Sequence, residues 1–156
     1  MRIRAAENST RGQALVEMAL AALMFLFLFF GIIEFSRALY TWNTIVQSTR
    51  AAARWAVVNV GGNSDAADIA RTKNFVVYLD PDVSSGNGIL SGLTTSLVQV
   101  SVVTIESDSN GVPINQKISV IVSGFQFQPV LPITGPITLP AFETSLYTES
   151  MGVVPS

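Results

Sequence analysis

The sequence predicts an α+β protein: a long N-terminal helix, half of it in a membrane, laid on a small antiparallel sheet of about three strands. Three observations carry this. The 16 residues from Met18 to Ile33 are uncharged and nearly all large apolar or Ala. Past Glu34 the apolar and small residues recur at helical spacing. Beyond a Gly/Asn/Ser-rich break at 59–65, the chain turns to short segments in which apolar and polar residues alternate.

Composition narrows the function before any element is placed. Of 156 residues, 49% are hydrophobic and 13% charged, and the mean hydropathy is +0.45. That is more apolar than an ordinary soluble domain of this size. The net charge of −2 suggests no nucleic-acid partner. The chain has no cysteine and no histidine, which excludes disulfides and thiolate metal sites. It also removes the commonest general base and zinc ligand. An enzyme is therefore not expected, nor a cofactor, nor a small-molecule substrate.

The first element is the apolar run. Counted from Ala14 to Ile33 it has 20 residues and one charge, Glu17. About 20 residues span the roughly 30 Å bilayer core as a helix. A cleaved secretory signal has a shorter apolar core, about 7–15 residues, followed by a small-x-small site. Here the run ends in Gly31-Ile32-Ile33-Glu34-Phe35-Ser36-Arg37, which offers no such site, so a retained membrane helix is expected over 13–34. Arg2, Arg4 and Arg11 against Glu7 place the preceding residues 1–12 in the cytoplasm. The remainder then lies outside it. On the cytoplasmic side the triplet Asn8-Ser9-Thr10 has no glycosylation meaning.

The same helix should continue over 35–58. Phe35, Ala38, Leu39, Trp42, Ile45, Val46, Thr49, Ala52, Ala53 and Ala56 form one stripe. Arg37, Thr41, Thr44, Gln47, Ser48, Arg50 and Arg54 occupy the other face. No proline occurs before Pro81, and Gly61-Gly62 supplies a stop. A helix from about Gln13 to Val58 would be about 69 Å long. Its stripe, Phe35, Leu39, Trp42, Ile45 and Val46 above all, is expected to pack on the protein's own sheet, on neighbouring subunits, or on both.

Residues 59–156 should form a strand-rich domain. Asn63 or Ser64 can cap a short helix starting near Asp65, with Asp65 and Asp68 favourable in its first turn. Its last part, Phe75-Val76-Val77-Tyr78-Leu79, could equally be a strand. A turn-rich loop follows over 80–93. Val98, Val100 and Val102 alternate with polar residues, as do Ile118, Val120 and Val122. Asp108-Ser109-Asn110-Gly111 between them reads as a hairpin turn. Pro129, Pro132, Pro136 and Pro140 break a long connection before a last strand over Phe142–Glu149.

Other constellations are weak. Asp80-Pro81-Asp82-Val83-Ser84 hints at a calcium loop, but Ser85 and Ser91 stand where an EF-hand wants Gly and Glu. A solvated turn is the better reading. No motif brings Lys73 or Lys117 to a serine as a catalytic dyad. Trp42 lies on the stripe and reads as packing rather than as a stacking platform; Trp55 also falls on the extension.

"RGQALVEMAL", "GIIEFSRALY" and "STRAAARWAVV" together resemble the TadE-like minor pilins of tight-adherence (Tad) pilus systems, within the wider type IV pilin-like class. The resemblance covers about Arg11 to Val58. It implies a pilin-like fold and a basic leader, 1–12, that a prepilin peptidase removes after Gly12. Gln13 would be the new N-terminus, where many pilins have an aromatic residue, and Glu17 the fifth residue of the mature chain. It also implies a role for Glu17: accepting a hydrogen bond or ion pair from the amine freed by cleavage, and so setting the register between subunits. The partners implied are the prepilin peptidase, other pilin subunits, the Tad assembly platform and the inner membrane. The protein would be single-pass, with its C-terminal domain outside the cytoplasm or carried into an extracellular pilus.

An ionised side chain at mid-bilayer costs about 2.5–3.5 kcal/mol on insertion scales. Near the helix end the cost is smaller, and an interfacial Glu that merely snorkels is the bland alternative for Glu17. Three functions follow: a minor pilin, a membrane-anchored binding domain with an uncleaved signal-anchor helix, or the major filament subunit. Tad major pilins are usually much shorter, which argues against the last.

Overall fold

The computed structural model describes residues 3–60, 65–107, 109–111, 113–130 and 135–148, with side chains from residue 12 onward. It is α+β, as the hydropathy pattern predicts. Helix α1 (Ile3–Asn59) is followed by α2 (Ala66–Tyr78), β1 (Val98–Ser107), β2 (Pro113–Val122), β3 (Gln126–Phe127), β4 (Ile137–Thr138) and β5 (Phe142–Thr148). The chain divides into two units, Met1–Leu39 and Tyr40–Ser156.

Helix α1 starts earlier than the expected Gln13. Residues 3–12 hold no proline, and a single glycine lowers helix stability without ending a helix. In the first unit the large side chains from Leu15 to Phe35 are all exposed. The rings make local contacts: Phe25 stacks on Phe29 at 6.3 Å, and Phe29 meets Phe30 edge-on at 6.2 Å. A helix apolar all round has no stable home in water and belongs in lipid or a large core. None of this span is buried in the chain, and the helix is long and apolar enough to cross a membrane.

In the second unit the outer part of α1 packs into a core with α2 and the sheet. Ile45, Ala52, Ala53, Ala56 and Val60 meet Val76, Val77, Val98, Ile118, Val120, Val122 and Phe125. The three alanines are fully buried in this core. Thr49 and Ser48 are buried beside them, and their hydroxyls donate back to the Ile45 carbonyl at 2.7 and 3.0 Å. Their polarity is thereby satisfied inside the helix.

Residues 75–78 settle as helix, not strand, with Leu79 as the cap. α2 buries Thr72, Val76 and Val77 on one face, and Phe75 stacks on Trp55 at 6.1 Å. Asp65 holds the N-cap position without a side-chain bond, and Asp68 lies in the first turn; Asn63 and Ser64 lie outside the described residues. Leu79 ends the helix in the left-handed region at φ 58, its N–H donating to the Phe75 carbonyl. The loop then returns to α2, where the Ile89 N–H donates to the Val77 carbonyl at 2.8 Å. Gly88 permits that approach, since a Cβ there would sit 3.0 Å from the Val77 side chain and 3.1 Å from its carbonyl oxygen.

The main sheet has the order β1-β2-β5 and is antiparallel throughout. The β1–β2 hairpin turns through Gly111 at φ 82, as the turn signal suggested; Asp108 lies outside the described residues. The proline-rich connection holds the small β3–β4 ribbon, which the sequence reading did not separate. β5 is anchored at its end by Thr148, whose hydroxyl accepts the Gln116 N–H at 2.9 Å.

Candidate functional site

In the first unit, Gly12, Gln13 and Glu17 lie together. They line one shallow notch on the helix surface with Val16 and Leu20. Gly12 contributes no side chain to it. A Cβ added there would meet no atom within 4 Å, so nothing in the fold requires the glycine. Glycine inside a helix nevertheless costs roughly 0.5–1 kcal/mol relative to alanine. Gly31 is equally open, but no carboxylate stands five residues beyond it. Glu17 is exposed and makes no ion pair with any described residue. Contrast Glu34 at the other end of the apolar run. The Arg37 guanidinium reaches both its oxygens at 2.9 and 3.0 Å, one turn away along the helix.

The stripe is divided. Ile45 is buried, Trp42 and Val46 are half-buried, and Phe35 and Leu39 are exposed at 66% and 46%. Burial of Leu39 against the sheet is therefore corrected. Thr41 and Ser48, expected on the polar face, are buried. At 100° per residue, the buried face is rotated by about 40° from the predicted stripe, toward the small side chains.

Trp42 has a partner that sequence reasoning missed. It meets the ring of Phe142, the first residue of β5, edge-to-face at 6.0 Å. Arg50, one of the residues expected on the polar face, places its guanidinium 5.8 Å from the centre of the same ring. Phe142 is thus clasped between an aromatic edge and a cation, both from α1. The hydrophobicity of Phe142 was visible in sequence; its pairing across 100 residues was not.

The acidic turn is structural. Asp82 pairs with Arg71 at 2.8 Å, and Asp80 accepts the Asp82 backbone N–H at 2.9 Å. Among the described residues no group of three or more acidic side chains gathers as a metal site would require.

A single-helix membrane anchor joined to a small α+β domain, with a glycine–carboxylate notch on the anchor, defines the class. Residues 12–54 match the family model of TadE-like proteins. The match runs from the notch glycine past Ala52 and Ala53 and stops short of Ala56. Residues 12–54 are thus similar to TadE-like proteins, and they lie on a helix that is long and apolar enough to cross a membrane. No curated protein and no solved structure matches the chain.

Proposed function

We propose that this protein is a minor pilin or pseudopilin of a Tad-type surface pilus, processed by a prepilin peptidase between Gly12 and Gln13. The observation that carries the reading is the notch. A glycine with no packing role stands five residues before a carboxylate that pairs with no described residue, on a helix segment whose large apolar side chains, Leu15 to Ile33, are all exposed. Each feature is unfavourable or idle in a solitary chain and useful in an assembly. The glycine admits the peptidase. The carboxylate receives the amine of a neighbouring subunit once the leader is gone. The apolar surface from Leu15 to Leu39 first dissolves in the inner membrane and then packs against other pilin helices.

In this organisation residues 1–12 are the cytoplasmic leader and 13–34 the membrane span. Residues 35–58 are the extension, and 59–156 the domain outside the cytoplasm. Phe35 and Leu39 serve subunit contacts, while Trp42, Ile45 and Val46 hold the extension to its own domain. The peptidase, the other pilins and the Tad assembly platform are the partners.

Mass spectrometry of the protein from its native host tests the processing. The mature chain should lack Met1–Gly12. Gly12→Leu should retain the leader, because the bulkier side chain fills a peptidase pocket sized for glycine. An intact N-terminus on the wild-type protein would leave an uncleaved signal anchor and remove the pilin reading.

A second variant isolates the carboxylate. Glu17→Gln should be made, inserted and processed, with insertion slightly easier because an amide is cheaper near lipid than a carboxylate. It should no longer support a pilus, since a neutral amide cannot form the ion pair. Counting surface fibres beside a blot for the processed form decides this; normal piliation would leave Glu17 as a snorkelling interfacial residue.

A further inference from the structure

We propose that Gln13, once it is the first residue of the mature chain, closes on its own amine to a neutral pyroglutamyl lactam unless Glu17 holds that amine. Such closure presupposes cleavage between Gly12 and Gln13, and so rests on the function proposed above. A glutamine at a chain N-terminus carries a nucleophile and an electrophile in one residue. The lone pair of the α-amine attacks the side-chain carboxamide carbon, Cδ. A C–N bond forms there and the bond from Cδ to Nε2 breaks. Nε2 leaves as ammonia, with the proton that the amine gives up. No oxidant, reductant or co-reactant is needed. Two reacting groups held together in this way make the step unimolecular, which is where effective concentrations are highest.

The fold leaves Gln13 room to close. It is exposed and lines the open notch with Gly12 and Glu17. Among the described residues the notch is otherwise lined by Val16 and Leu20, whose side chains offer the carboxamide no polar partner. The helix does not oppose a ring at this place. Proline is tolerated at the first helical position because the first N–H groups have no acceptor within the helix, and a lactam at Gln13 asks for the same tolerance. Gln13 also stands at the edge of the exposed apolar segment from Leu15 to Ile33. A neutral ring is more readily placed beside lipid than an ammonium.

Glu17 is the brake. It follows Gln13 by four residues, one turn along the same face. Side chains on a helix tilt toward its N-terminus, so the Glu17 carboxylate leans back toward the new amine. An ammonium paired with a carboxylate has no lone pair with which to attack. The mature chain therefore has two fates. A subunit whose amine is paired with a Glu17, its own or a neighbour's, keeps the charge that the ion pair needs. A subunit left unpaired is capped and loses that charge permanently.

The test releases the mature chain in vitro. Residues 13–156 are produced behind a ubiquitin-like tag whose protease cuts after the tag's last glycine, and are reconstituted in lipid nanodiscs before release. Mass spectrometry with an amine-specific label then follows the N-terminus over time, and a short peptide beginning Gln-Ala-Leu-Val sets the time scale of unhindered closure. The wild-type chain should lose one ammonia and, with it, the label. Pyroglutamyl aminopeptidase should restore labelling, now at Ala14. Glu17→Gln should close up to about fivefold faster than wild type, the factor that one exposed ion pair can supply. Gln13→Ala has no carboxamide and should keep its label. The lactam is overturned if Glu17→Gln keeps its free amine well after the peptide has closed, and the brake if Glu17→Gln closes no faster than wild type. The two readings fail separately. An intact Met1–Gly12 in the native host removes the cleavage, and with it any lactam in the cell. A released chain that does not close removes the lactam alone.

Discussion

The two ends of α1 make opposite use of apolar residues. In the Met1–Leu39 unit the large side chains, Leu, Met and Phe, are outside: Met18, Met24 and Phe25 are each more than 60% exposed. In the Tyr40–Ser156 unit the α1 residues with no exposed surface are small: Ala52, Ala53, Ala56 and Thr49. The difference teaches that hydrophobicity and burial are separate properties. A membrane helix meets its solvent with bulk, because lipid chains accept any apolar shape. On the domain side α1 turns mainly small side chains to a core whose bulk comes from the Val and Ile of α2 and the strands.

The comparison can be broken most forcefully from the domain side. Ile118 is fully buried at the centre of the sheet, and Ile118→Ala should cost about 2–5 kcal/mol of domain stability. Urea unfolding followed by near-ultraviolet circular dichroism should show it, while resistance to carbonate extraction from membranes stays unchanged. Loss of both together would mean that the two regions do not answer to separate solvents.

The converse substitution acts on the anchor. Leu26 lies mid-span and 48% exposed. Leu26→Lys should cost about 2.5–3.5 kcal/mol of insertion free energy and raise the carbonate-extractable fraction. The same urea transition should be preserved. Unchanged extraction would show that the span does not sit in lipid.

The smallest effect should come at the border. Arg37→Ala removes an i,i+3 pair with Glu34 whose arginine side chain is 44% exposed. Such pairs contribute about 0.2–0.5 kcal/mol, so the unfolding midpoint should scarcely move. A clear drop would sharpen the comparison by showing that the pair does more than end the apolar run.

Much of this was legible in the sequence. The anchor, the extension, the hairpin and the three strands depend on local periodicity, and local periodicity is a property of neighbours in the chain. Gly12, Gln13 and Glu17 fall within five residues, so their meeting on one notch follows from helix geometry alone. Where sequence reasoning went astray, the deciding contacts were remote. The rotation of the buried face toward Thr41 and Ser48 depends on how the helix fits the rest of the core, which hydrophobicity does not measure. Residues 75–79 had an equal claim to strand and helix until Trp55 and the core settled them.

By itself, then, the sequence determined which segments leave water and with what period, because those are sums over adjacent side chains. It determined the spacing between a glycine and a carboxylate on an apolar helix. Tertiary structure alone decided which side chains from different strands and helices share a surface. Phe142 came between Trp42 and Arg50, and Ser101, Ser119 and Ser145 came into one row, because strand register and helix rotation are set by the best collective packing of the core. Shifting a register by one residue sends every side chain of a strand to the other face, so no single segment carries that information.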